Sequence, residues 1–360
     1  MAALLYGVRI SHEMADLQVY WTAARRAAAA EPLYRVADQH YQFKYLPAFA
    51  VLAIPLGLMP WTMAKAVWFA ASVGLLAVLV ALSLSLVRAR QPFWLLFAVT
   101  IVGMGKFYGH ELVLGQVNIL FAVLIVLALH AMRRSRETLA GLLVVLAVVV
   151  KPYAVIFLPW LAARRRRASL AATAAGILLV LTLPAALYGV AGTIDLHRDW
   201  WRTVTDSTAP NLTNADNVSL AAMFAKWIGV GPLASALAAL SSAVLLAAVA
   251  LVFARRRGID FPEGLEGALL LTLIPMISPQ GWDYVFLIST PAIVYLANHH
   301  DQLPTWLRLG TGAAVAVIGL SLFDVLGRAG YARFMALSVI TVCYLVVVAA
   351  LGGLRLRKAA

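Results

Sequence analysis

Charge is what this chain has least of. Only 12% of its 360 residues are Asp, Glu, Lys or Arg, about half the share found in soluble globular domains. Cysteine is nearly absent too: Cys343 stands alone, inside an apolar run, which excludes an intrachain disulfide and leaves a small hydrophobe. Residues 1–45 hold no spanning segment and no signal peptide with a full apolar core. The glycine-rich loops that cradle nucleotides are missing, as are a GxSxG nucleophile elbow and a Cys/His cluster with metal-ligand spacing. His12-Glu13 and His110-Glu111 are adjacent pairs without a second spaced ligand, so they support a metal site only weakly. His299-His300 reads as a solvated loop.

Hydrophobic residues, by contrast, make up 63% of the chain. They fall in blocks near Leu46–Leu58, Ala64–Val87, Phe93–Met104, Val117–Met132, Leu139–Val150, Tyr153–Ala163, Leu170–Val190, Pro232–Phe253, Leu265–Pro279, Tyr284–Ala297, Trp306–Leu326 and Phe334–Leu351. The longer blocks match the ~20 residues needed to cross a bilayer. Open sheet edges are not viable in lipid, so the blocks are expected to be helices. The expected fold is all-α, a polytopic transmembrane bundle whose short and broken helices surround an outward-facing cavity. Two regions are expected: an extracytoplasmic N-terminal segment, 1–45, and a transmembrane helical domain, 46–360, with an extracytoplasmic loop at 191–216.

A net charge of +13 invites a nucleic-acid reading. Its distribution opposes that, because the arginines form short plugs between apolar blocks: Arg88 and Arg90; Arg133, Arg134 and Arg136; Arg164–Arg167; Arg255–Arg257; and Arg355, Arg357 and Lys358. That is the positive-inside pattern, and no nucleic-acid partner is expected. If the plugs face the cytoplasm, the segment between Arg136 and Arg164 leaves and returns. Each half is only about 16–20 Å long at 1.5 Å per residue, so Lys151-Pro152 caps a hairpin. Proline suits that tip, since it restricts the residue before it and can open the second helix. Lys151 either lines a polar cavity or snorkels to the interface.

The same topology puts His110, Glu111, Gln116 and Asn118 of GHELVLGQVN in an outer loop, with His197 and Asp199 in the 191–216 loop and Asp283 in the break ISPQGWDY. Paired Trp200 and Trp201 suit the membrane interface. Asn217–Trp227 reads as an interfacial helix capped by Asn217 or Ser219. Asp16 and Lys44 join this face if the N-terminal segment lies outside. A carboxylate can act as a general base on a hydroxyl, and a lysine can neutralise a phosphate leaving group. Together they suit transfer of a group from a lipid phosphate to an alcohol. Two other readings stay open: a transporter or flippase of lipid-linked sugars, and a non-catalytic scaffold of glycan assembly.

ADLQVYWTAAR with EPLY, FKYLPAFAVLAIPLGLMP, LGQVNILFAVLIVLAL, the KP-centred run to Arg167, and ISPQGWDYVFL together resemble glycosyltransferase family 87, integral-membrane enzymes of the GT-C superfamily. The resemblance runs from about Asp16 to Leu287. It implies an inverting transfer of a hexose, mannose foremost, from a polyprenyl-phosphate donor to a glycolipid or glycan acceptor. The site would face the extracytoplasmic side of a bacterial plasma membrane, with membrane lipids as surroundings and the polyprenyl-phosphate sugar as donor substrate; no cofactor is expected, and the need for a divalent metal stays open. Asp16 takes the place of the family's acidic residue and would be the catalytic base. Lys151 matches the KP lysine and would lie near the donor phosphate. Gln116 and Asn118 match GQxN and would position sugar or loop. Asp283 matches the WD-type tract. Lys44, His110, Glu111, His197 and Arg198 are further candidates for substrate contact. Family members usually begin with a spanning helix before the acidic loop. Here MAALLYGVR reads as the end of one, which implies a misassigned start or a lost helix.

Overall fold

The structure is a computed structural model that describes residues 14–255 and 261–356. His12 and Glu13, the MAALLYGVR stretch, Arg256, Arg257, Arg357 and Lys358 lie outside the described residues. Among the described residues every regular element is helical, as the hydropathy pattern predicts. The chain forms two compact units, Met1–Val78 with Gly109–Ser207, and Leu79–Tyr108 with Thr208–Ala360.

The first unit contains α1 (Ala15–Ala28), α2 (Pro47–Leu52), the start of α3 (Trp61–Ser85), the end of α4 (Phe93–Leu114), α5 (Asn118–Arg133), α6 (Glu137–Val150), α7 (Phe157–Ala163), α8 (Arg167–Thr182) and α9 (Ala185–Asp206). α6 packs against both α5 and α8, and α1 packs against α2 and the short turn Ile54–Gly57. The α6–α7 hairpin expected from the arginine plugs is present. Lys151 is extended (φ −146°, ψ 115°), and Pro152 opens a 3₁₀ turn, Pro152–Ile156, that leads into α7. The hairpin's two ends meet: Arg166 Nη1 lies 3.0 Å from Glu137 Oε1, and Ser169 Oγ donates to the Glu137 carbonyl at 2.8 Å.

Two sequence expectations are corrected in this unit. The GHELVLGQVN stretch is not a loop. α4 continues through His110 and Glu111 to Leu114, and only Gly115–Val117 turn. The 191–216 stretch is largely helical as well. α8 meets α9 at a 90° bend by Leu183-Pro184, and α9 carries three faces. Thr193, Leu196 and Thr203 are buried; Val190, Ile194 and Trp201 expose an apolar stripe; Asp195, Arg198 and Arg202 form a charged one. A loop reading fails because polar residues recur at helical spacing instead of clustering with turn formers.

The second unit contains α10 (Leu220–Ile228), α11 (Pro232–Ala254), α12 (Pro262–Ile277), a 3₁₀ turn at Asp283–Ser289, α13 (Thr290–Asn298), α14 (Thr305–Leu320), α15 (Phe323–Ala336) and α16 (Val339–Leu356). α16 is its centre and packs on α12, α13 and α14. Of the two cap candidates, Ser219 caps α10, its Oγ accepting from the Ala222 amide at 3.0 Å. The Trp306–Leu326 block breaks at Ser321-Leu322, where α14 and α15 meet at 104°.

Among the described residues, α3, α11 and α16 are long and apolar enough to cross a membrane, which makes three candidate spans, or up to five if each bent pair counts as one. α11 exposes Leu233, Leu240, Val244 and Leu251, each more than half accessible. In water that stripe would be an aggregation surface; in lipid it costs nothing.

Candidate functional site

In the first unit the candidate residues from four separate segments come together. Asp16 sits in the first turn of α1. That end of the helix is tied down by Met14 N, which donates to the Val113 carbonyl of α4 at 3.0 Å. Gly115 makes the approach possible. Its φ is +70°, and a Cβ there would stand 2.9 Å from Leu17 Cβ and 3.2 Å from Met14 Cβ. A side chain would both strain the backbone and push α1 away.

The turn after α4 is fixed by Glu111. Its carboxylate is 1% exposed, and accepts from Asn118 Nδ2 at 2.8 Å and from the Ile119 amide at 3.1 Å. Glu111 thus satisfies an orphan N–H in the first turn of α5, as a capping carboxylate does. Within the described contacts, Asn118 is a partner of Glu111, and both hold the turn that presents Gln116.

Gln116 bridges two elements. Its Nε2 donates to Asp16 Oδ2 at 2.7 Å, while its Oε1 accepts from Tyr20 Oη at 2.8 Å and Tyr45 Oη at 3.2 Å. Tyr20 and Tyr45 are themselves 2.7 Å apart, Oη to Oη. Lys151, at the hairpin tip, places Nζ 4.8 Å from the centroid of the Tyr45 ring. That ammonium faces the carboxylates of Asp16 and Glu111 and the ammonium of Lys44. Among the described residues the Lys151 ammonium makes no hydrogen bond or ion pair, and the residue is half-buried; its backbone amide donates to the Ala147 carbonyl at 2.7 Å.

Burial raises the Asp16 carboxyl above its ordinary value, against the opposing pull of the Gln116 hydrogen bond and of Lys151, His40 and Lys44. Burial lowers the Lys44 ammonium, and Asp16 partly counters it. Both shifts follow from desolvating a charge. The result is a partly desolvated carboxylate beside two cations, with one oxygen held and the other unbonded among the described residues.

The remaining candidates have other neighbours. His110 is half-buried on α4, directly before Glu111. His197 Nε2 lies 2.9 Å from the Leu181 carbonyl, which ties α9 to the end of α8. Arg198 is exposed and pairs with Asp195 at 3.0 Å. Asp283 belongs to the second unit, fully buried, with Oδ2 3.3 Å from Lys106 Nζ and its amide donating to the Asp216 carbonyl at 2.9 Å. Lys226 stands nearby, bonded to the Ala215 and Asn217 carbonyls at 2.9 and 2.6 Å.

Sequence reasoning missed Tyr20, Tyr45, His40 and Lys106. Lys106 carried a signal, being a lysine inside the apolar helix α4. The tyrosines carried none, because their role depends on partners 71 and 96 residues away.

No curated protein matches the chain. The sequence profile of glycosyltransferase family 87 matches residues 43–279, which include Lys44, Gln116, Asn118 and Lys151 and stop short of Asp16 and Asp283. The match covers well over half the chain and agrees with the helical, membrane-spanning architecture. This chain is an integral-membrane protein that belongs to glycosyltransferase family 87.

Proposed function

We propose that the protein transfers a hexose, mannose foremost, from a polyprenyl-phosphate donor to a hydroxyl of a glycolipid or glycan acceptor, with inversion, in a GT-C-type site. The site would open to the extracytoplasmic side of a bacterial plasma membrane. The observation that carries the reading is the Asp16 carboxylate: held by Gln116, raised by burial, and faced by Lys151 and Lys44.

In the reaction the acceptor oxygen bonds to the anomeric carbon as the bond from that carbon to the phosphate oxygen breaks. The electron pair leaves with polyprenyl phosphate, and the acceptor proton passes to Asp16. A base whose pKa is raised toward the working pH takes that proton more readily. Lys151 and Lys44 supply positive charge where the phosphate gains negative charge, in a setting where burial strengthens the interaction. His110, His197, Arg198 and Asp283 are assigned no chemical step here. No cofactor enters the scheme.

The test is a transfer assay in membranes with radiolabelled polyprenyl-phosphate-mannose and native lipid extract, wild type beside Asp16→Asn. Label entering a new glycolipid in the wild type and absent in the variant supports the assignment. Equal transfer by both removes Asp16 as the base.

A further inference from the structure

The Gln116 side chain has an orientation that chemistry dictates. A carboxylate only accepts hydrogen bonds, so whichever end of the amide faces Asp16 must be the NH2. The other end must then be the carbonyl, and it meets hydroxyl protons: Tyr20 Oη at 2.8 Å and Tyr45 Oη at 3.2 Å. Each phenol has one proton. Tyr20 gives its own to Gln116, and Tyr45 divides its own between the Tyr20 oxygen and Gln116. The order of donation is Tyr45, Tyr20, Gln116, Asp16. Tyr20 is 1% exposed, Gln116 6% and Tyr45 9%, so water competes little for any of these bonds. The three come from α1, the segment before α2 and the α4–α5 turn, and nothing in the scheme above uses the tyrosines.

We propose that Gln116 is a positioning residue for Asp16: its amide, locked by the Tyr20 and Tyr45 hydroxyls, holds Oδ2 and leaves Oδ1 to take the acceptor's proton. The inference rests on Asp16 being the base. It adds which oxygen acts and what aims it. It also gives the glutamine of GQVN a role through the carboxylate rather than through the sugar. Tyr45 serves twice, since its ring carries the Lys151 ammonium while its hydroxyl orients the amide. Base and cation are thereby set in one frame.

The charged and titratable groups facing Asp16 are Lys151 from the hairpin tip, and His40 and Lys44 from the segment before α2. Glu111 faces Lys151 from α4. None of these is altered by removing the Gln116 amide. The Gln116 hydrogen bond favours the ionised carboxylate, so its loss shifts the Asp16 titration upward by about one unit or more.

The experiment titrates the purified protein in lipid nanodiscs by infrared difference spectroscopy. The Asp16 carboxyl band is identified by its loss in Asp16→Asn. In Gln116→Leu the band's midpoint is expected to rise by about one unit. In the double variant Tyr20→Phe/Tyr45→Phe, which keeps both rings, it is expected to rise by less. The acid limb of transfer should move with the band, kcat falling about tenfold with donor KM unchanged. Midpoints that coincide with wild type in both variants overturn the proposal. If Gln116→Leu aggregates, the double variant decides by the same criterion. The spectroscopic arm reads the Gln116–Asp16 bond even where no transfer is seen, whereas transfer that survives Asp16→Asn refutes the base and leaves the bond standing.

Discussion

Gly115 is where the fold and the site are most tightly linked, and Gly115→Ala is the substitution whose outcome the structure fixes best. Two costs add. An L-residue at φ +70° leaves the region it prefers, at roughly 1–2 kcal/mol. The new Cβ also stands 2.9 Å from Leu17 Cβ and 3.2 Å from Met14 Cβ, closer than such atoms pack. Relief requires α1 to move by several tenths of an ångström, and forced repacking of this kind costs about 1–3 kcal/mol. The sum is roughly 2–5 kcal/mol of stability. Asp16 lies in the first turn of α1, next to Leu17 and two residues after the N-cap Met14, so the displacement carries the carboxylate with it. Misplacement of a reacting group by about 1 Å can cost ~100-fold in rate. Gly109→Ala is the control. It lies on α4 with nothing within 4 Å of its added Cβ and with ordinary helical φ. There alanine should stabilise, by about 0.5–1 kcal/mol. Thermal unfolding in detergent, followed by tryptophan fluorescence, should therefore move the two variants in opposite directions. Matching melting curves for Gly115→Ala and wild type would refute the close-approach argument.

Other outcomes follow from the same geometry. Lys151→Met should weaken use of a phosphate-bearing donor by about 10–100-fold, seen as a raised donor KM, since a charge-assisted contact is worth roughly 1.5–3 kcal/mol. Transfer should fall as pH is lowered through the raised Asp16 value, because only the ionised carboxylate acts as base, and the pH–rate profile shows where. The stability sign is opposite: the folded state holds the Asp16 proton more tightly than the unfolded chain, so stability is lost as pH rises through that window. Asp16→Asn should then melt no lower than wild type at neutral pH. In the second unit, Arg355 Nε lies 2.9 Å from Glu266 Oε1, both essentially inaccessible. Arg355→Met should cost about 3–5 kcal/mol by removing one partner of a buried ion pair, while Arg355→Met with Glu266→Leu should recover most of it; chemical denaturation of the pair distinguishes the two.

The sequence made the helices legible where hydropathy alone decides, and the hairpin at Lys151-Pro152 because arginine plugs and proline agree on it. Legibility failed where two signals compete. His110 and Glu111 read as loop because charged residues in an apolar helix resemble its end, yet Glu111 is buried there to hold the next helix's first turn. The 191–216 stretch read as loop because its polarity is high, although its periodicity is helical. The Asp16–Gln116 bond joins residues 100 positions apart, and no local pattern announces it. Lys106 stands out as a lysine among apolar residues, but nothing local ties it to its partner Asp283, 177 positions away.

α9 lies across the line of α8, and Trp200 Nε1 donates to the Lys44 carbonyl at 3.1 Å. α9, with its exposed apolar stripe, is thus fastened to the backbone that presents one of the site's two lysines, so the placement of this amphipathic helix and that of the site are coupled. The lipid-borne donor proposed above makes the encounter a search in two dimensions. The relevant concentration is then the donor's mole fraction in the bilayer, so adding inert lipid at constant bulk donor slows the reaction, and stirring more donor-free buffer into the vesicles does not.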